Sequence, residues 1–549
     1  YKRSTGFSKI LVFSSWEMVP RMIGTLVSYE AERRTVGRLS QQIKNEDRKN
    51  AHYFADASKR FPTSRLRFNV HNGEPRGMSM FNLLYPSKYL ADLYRPIQCM
   101  NEGLTLKEIE KKLKNDIEAA LAFLEKYQGI SNRQDDRWYY LAPMLLDGPE
   151  FVGEWIDALK SEIDQDTGAA GRGDDRGNKG IRVHLNRLEE LYSNRENLSL
   201  GRRPNDLIPT LINMAVASPA ICIYRANGGN VSRATALARI FINWFNTTEA
   251  TAIVDLAYGR YKDDMSHWKN VLRYCKDGNF QAMVDEYRHL ISESVGFIDE
   301  KDKEEVIFNT MIDALQIHSA SYDVDTLNSF KARINGKKRK NAKLRSHFAV
   351  GFTKGEGDDT KKINRKESIR NAFNSPLRPF ILATTSIGQE GLDFHNYCRK
   401  IMHWNLPANP VDLEQREGRI TRFKCLAIRQ SVADKYGNIN YKEDVWKELF
   451  DEAVQQEKKE GSSDLVPFWC LGESYKYKIE RIVPMYPMSR DVVKYERLIK
   501  ILSLYRLTLG QARQEELLEY IFNTNEDCDK LKELFIDLSP YSRRRKASG

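Results

Sequence analysis

Short apolar runs of β-forming residues punctuate a chain that is otherwise patterned at helical spacing. Ile10-Leu11-Val12-Phe13, bounded by serines, reads as a strand, and Met18, Val19, Met22, Ile23, Leu26 and Val27 then share one face of a helix over 17–38. The next runs of strand character come roughly three hundred residues later, at 347–352 and at Ile381-Leu382-Ala383-Thr384-Thr385. The intervening residues are helical in pattern. Thr105-Leu106-Lys107-Glu108 opens a helix as a capping box, with Ile109, Leu113, Ile117, Leu121 and Leu124 on one face. Further periodic stretches cover 151–163, 207–216, 234–245, 280–292 and 305–318. Near the C-terminus, Ser489 caps a helix bearing Val492, Val493, Leu498, Ile499, Ile501 and Leu502, and 512–522 forms another amphipathic segment.

This order predicts an α/β lobe split by a large, mainly α-helical insertion. The expected divisions are 1–40 for the first part of the lobe, 41–343 for the insertion, 344–440 for the second part and 441–549 for a helical extension. The Gly-rich, charged stretch 167–180 reads as a surface loop, and the polar stretch 335–343 as the link back to the lobe.

The most specific segment is 381–424. After the strand at 381–385, Ser386, Gly388 and Gly391 bend the chain so that backbone amides can approach a ligand, and Asp393 follows. Farther on, Gln415-Arg416-Glu417-Gly418-Arg419-Ile420-Thr421-Arg422 is expected to set Arg419 and Arg422 on one helical face at i, i+3, where two guanidinium groups can converge on a phosphate. The segment resembles motifs V and VI of superfamily 2 helicases and translocases, of Swi/Snf type and related bacterial helicase-like proteins. Residues 8–16 resemble motif IV of the same family, and 364–380 its helix leading into the motif V strand.

The resemblance implies a RecA-like second helicase lobe with a P-loop NTPase fold. Arg419 and Arg422 would then be arginine fingers, and Gln415, Gly391 and Asp393 would lie at the nucleotide. Thr384, Thr385 and Ser386 match positions that hold the nucleic-acid backbone, with Ser14 and Ser15 as further candidates at the end of the motif IV strand. It also implies ATP and Mg²⁺ as cofactors. Their phosphate loop, GxxxxGK[ST], and the strand-end Asp are not found in the sequence. The chain is therefore expected to be the C-terminal half of a longer protein, inactive alone, with ATP and Mg²⁺ held mainly by an N-terminal RecA-like lobe.

Composition adjusts this picture modestly. A chain of 549 residues exceeds one core, so two to four domains are expected. The 86 Lys+Arg against 75 Asp+Glu give a net charge of +11 and suit a polyanionic partner. Lys338, Arg339 and Lys340, within a basic run from 331 to 345, are candidates for sequence-independent phosphate contacts. Seven scattered cysteines without a CxxC pair argue for a reducing compartment. No apolar run is expected to reach membrane-span length, so the chain reads as cytoplasmic, without a membrane partner. His395, Cys398, His403 and Cys425 fit no standard metal-ligand spacing, and no metal site is expected from them. The expected partner is nucleic acid, with duplex DNA favoured by the Swi/Snf-like character of the motifs, and the insertion could dock a protein. A non-catalytic RecA-like binding module or scaffold is the alternative reading.

Overall fold

The computed structural model describes residues 7–39, 65–168, 175–259, 266–296, 299–316, 321–324, 327–336, 342–352, 367–385, 392–458, 463–471, 475–504 and 514–524. The chain divides into two compact units: one of residues 1–29, 317–322 and 344–549, the other of 30–316 and 323–343.

The first unit is an α/β lobe. Its elements are β1 (Lys9–Ser14), α1 (Met18–Glu32), β2 (Ala349–Phe352), β3 (Ile381–Thr385), β4 (Cys398–His403), α2 (Pro410–Glu417), α3 (Leu426–Tyr436), α4 (Val445–Glu457), β5 (Glu480–Ile482), α5 (Asp491–Leu504) and α6 (Gln514–Thr524). A further helix covers 367–373. The strands form one sheet in the order β2-β3-β1-β4-β5, with every neighbouring pair parallel. Parallel sheets are covered on both faces, which accounts for apolar strands without alternation. The core joins Leu11, Phe13, Val350, Leu382 and Ile401 from the strands to Ile369, Phe373, Phe394 and Ile420. The chain thus returns, across the insertion, to strands on both sides of β1.

Two contacts show how tightly the split halves are joined. A Cβ placed on Gly351 of β2 would stand 2.6 Å from the Pro20 carbonyl oxygen, so α1 lies directly on the sheet there. Lys9 of β1 is fully buried, and its Nζ donates to Ala372 O at 3.2 Å and to Leu377 O, with the Phe373 ring 5.2 Å away. The Lys9 side chain thus meets one carbonyl in the last turn of the 367–373 helix, which also accepts from Ser375, and one in the segment that follows it. Burial pushes its pKa well below the usual lysine value.

The edge strand β5 lies in the segment expected to be helical. Three residues paired with Lys400–Met402 are too short to carry a readable period, and the pairing itself makes them a strand.

The second unit is helical, as the periodicity predicts. Glu108 accepts from both Thr105 N and Thr105 Oγ1 at 2.7 Å, completing the capping interaction of the helix Leu106–Ala122. The core contains Phe81, Tyr85, Trp138 and Trp155, with Trp155 edge-on to both Phe81 and Tyr85. Two expectations are corrected. The loop predicted at 167–180 becomes helix from Asp175 to Ser193, carried back from the buried face of Ile181, Leu185, Leu188 and Tyr192; residues 169–174 lie outside the described ones. Leu207–Ala226 is also long and apolar enough to cross a membrane. It is instead two core helices parted at Ser218-Pro219, and 83% of its apolar window is buried.

Candidate functional site

The sheet register brings the two predicted strand ends together. Ser14 pairs with Thr385 and Phe13 with Thr384. Ser14, Thr384 and Thr385 are buried; Ser14 Oγ accepts from Trp16 N at 3.1 Å, and Thr384 Oγ1 donates to Thr385 O at 3.1 Å. Ser15 is exposed, its N–H donating to Asn405 Oδ1 at 2.9 Å and its hydroxyl accepting from Asn405 Nδ2. Among these four, Ser15 is therefore the side chain presented to solvent. Ser386, Gly391, Lys338, Arg339 and Lys340 lie outside the described residues.

Helix α2 starts from Asn409, whose side chain accepts from Val411 N at 2.8 Å, with Pro410 in the first turn. It ends at Glu417, and residues 418–420 form a turn. Arg419 and Arg422 are thus not on a helical face, contrary to expectation. The helix closes at Gly418, whose N–H bonds to Glu414 O at 2.7 Å, and the chain then turns. Gln415 remains on α2 and is exposed.

The turn is fastened to the segment after β3. Phe394 N donates to Arg419 O at 2.9 Å, and Arg422 Nε meets Asp393 Oδ1 at 2.8 Å. Both members of this ion pair are about one-third exposed, at 33% and 32%. Asp393 O in turn accepts from Asn374 Nδ2 at 2.8 Å, at the end of the 367–373 helix. The half-buried Arg419 guanidinium has no hydrogen-bond or ion-pair partner among the described residues. One arginine is therefore anchored, and the other has no anchor among the described residues. Close by, burial and the Arg429 cation push the His395 imidazole down to about 4.

A second layer, which the sequence did not single out, holds α2. Arg416 is buried, with its guanidinium 5.4 Å from the Phe13 ring centre and its Nη1 3.4 Å from Asn405 O. Glu417 accepts from both Nε and Nη2 of Arg481 on β5, the latter at 2.8 Å, and stands 3.4 Å from His403 Nε2 on β4. Burial pushes His403 below its usual value, while Glu417 opposes the shift. Arg481 lies 64 residues from Glu417, so only the fold reveals this pair. Among the described residues no cluster of three or more His, Cys, Asp or Glu could hold a metal.

The parallel sheet β2-β3-β1-β4-β5, with the helices packed on it, fits a RecA-like α/β lobe. Residues 308–424 match the family described as the helicase conserved C-terminal domain, a span that includes β2, β3, β4, α2 and both arginines. Comparison with curated proteins and with solved structures found no match to the chain.

Proposed function

We propose that the chain is the C-terminal half of an ATP-dependent helicase or double-stranded DNA translocase of superfamily 2, Swi/Snf-like in its motifs, working in the cytoplasm. The observation that carries this reading is the Arg419–Arg422 turn and its fastening to Asp393. Arg419 presents a guanidinium with no described partner, and Arg422 is oriented by Asp393; both suit the negative charge of a triphosphate held chiefly, with Mg²⁺, by a separate N-terminal lobe. ATP, when bound there, supplies the phosphoryl group whose transfer to water drives the cycle. Arg419 and Arg422 act as arginine fingers, with Gln415 contacting the nucleotide from α2 and Gly391 and Asp393 lining its approach.

Nucleic acid is held by its backbone, through Ser15 and Ser386, by main-chain contacts at Ser14, Thr384 and Thr385, and by Lys338, Arg339 and Lys340. The helical unit selects the substrate or docks a protein partner. The alternative, a non-catalytic module, is favoured less by a turn on which Arg419 has no partner among the described residues. The test joins the chain to its N-terminal lobe and measures ATP hydrolysis with and without duplex DNA, single-stranded DNA and RNA. Stimulation by duplex DNA above the other two is the expected result; hydrolysis indifferent to all three contradicts the proposal.

A further inference from the structure

Glu417 is the point from which the Arg419–Arg422 turn springs. It is the last residue of α2, and its carbonyl oxygen accepts from Ile420 N, Thr421 N and Thr421 Oγ1, each at 3.1 Å. The far end of the turn is fixed separately, by Arg422 on Asp393. Arg419 lies between these two fixed points, and a shift at Glu417 is passed to it.

The Glu417 side chain is held from outside the turn. Arg481 on β5 sets Nε on one carboxylate oxygen and Nη2 on the other, the latter at 2.8 Å, in the forked geometry that only a guanidinium offers. The two side chains are 26% and 19% exposed, so the pair is screened less than one on the open surface. Arg481 is itself placed from several sides. Its strand pairs with Lys400–Met402, and the neighbouring Glu480 binds Arg399 and, at 3.3 Å, Lys400. Its Nη1 donates to Tyr495 Oη on α5 at 3.3 Å, and α5 packs against α2. Arg481 and Tyr495 both lie beyond residue 424, where the match to the helicase C-terminal family ends.

We propose, on the reading of Arg419 as an arginine finger, that Arg481 is a positioning residue for ATP hydrolysis. It acts through Glu417 to hold the turn that carries Arg419, and this makes β5 and α5 part of the machinery of the ATP site. An arginine finger works only where its guanidinium meets the transferred phosphoryl group, and a misplacement of about 1 Å can cost on the order of a hundredfold in rate. With Arg481 removed, Asp393 still holds Arg422, while the end of α2 is free to shift and Arg419 loses its place.

Steady-state ATP hydrolysis by the protein carrying both lobes tests this in Arg481→Met, Arg481→Lys, Glu417→Gln and the double variant Arg481→Met/Glu417→Gln. Expected in Arg481→Met is a fall in kcat of about ten- to a hundredfold, with KM for ATP and affinity for a DNA duplex within about twofold of the parent. Arg481→Lys keeps the charge without the fork and should recover part of the loss, which keeps the test readable if Arg481→Met does not fold. The double variant should be no slower than the slower single one, because both act through one contact. Amide hydrogen exchange of the whole chain at Ile420 and Thr421 should be faster in the Arg481 variants and unchanged in the helical unit. A parent protein that does not hydrolyse ATP counts against the ATPase reading, whereas unchanged exchange at these two amides overturns the hold of Arg481 on the turn with or without hydrolysis. A kcat equal to the parent's in the folded Arg481 variants, or losses that multiply in the double variant, also overturns the proposal.

Discussion

Arg419 and Arg422 lie three positions apart and have different surroundings. Arg422 is paired with Asp393 and one-third exposed, so Arg422→Ala is expected to cost the isolated chain no more than about 1 kcal/mol in chemical denaturation. Arg419→Ala breaks no described side-chain bond and should leave stability unchanged. His395 carries a pH dependence. The folded protein holds its imidazole neutral down to about pH 4, whereas the unfolded chain protonates it near the usual 6.5. The unfolded state therefore takes up the proton first as pH falls. Stability from this group is complete above pH 6.5 and is lost as pH drops toward 4, on the order of 3 kcal/mol in all. Unfolding measured from pH 7 to 4.5 should fall less steeply in His395→Phe than in the unsubstituted protein; equal slopes would remove His395 from the account. The spacing of the two arginines was legible in the sequence, but their partners were not. Asp393 was visible as a carboxylate after a glycine turn, and nothing local pairs it with a residue 29 positions away.

The strands were legible where they are apolar and long, as in β1 and β3, because buried parallel strands read as continuous hydrophobic runs. β5 was not, since Glu480-Arg481-Ile482 has neither the length nor the composition of a buried strand. Helix existence followed from the 3.6-residue period, while ends such as that of α2 at Glu417 depended on where the chain had to turn toward Phe394. Two substitutions examine the elements separately. Gly351→Ala places a methyl group 2.6 Å from Pro20 O, which must push α1 from the sheet; a loss of about 1–3 kcal/mol is expected in denaturant unfolding. Thr105→Ala removes half of the capping interaction at Leu106–Ala122 and should cost about 1 kcal/mol. A Gly351→Ala protein as stable as its parent would show that the close approach of α1 is not required.

The chain divides into an α/β unit and a helical unit. The sequence placed the interruption of the lobe correctly in kind, through the long gap between β1 and the strands it pairs with. It could not show that the lobe's sheet extends to residue 482, because that strand is recruited by β4 rather than by its own pattern. At this scale the excess of basic residues, +11 in all, predicts nucleic-acid binding whose logarithmic affinity falls linearly with the logarithm of salt concentration. Titrations of a DNA duplex at several salt concentrations check this, and a flat salt response would argue against phosphate-led binding. The central claim is that the turn after α2 reaches a nucleotide held by another lobe. It is tested most directly by DNA-stimulated ATP hydrolysis in the protein carrying both lobes, with Arg419→Ala compared with its parent. The account predicts a fall of roughly a thousandfold or more with the fold and DNA binding intact, and turnover equal to that of the parent would contradict it.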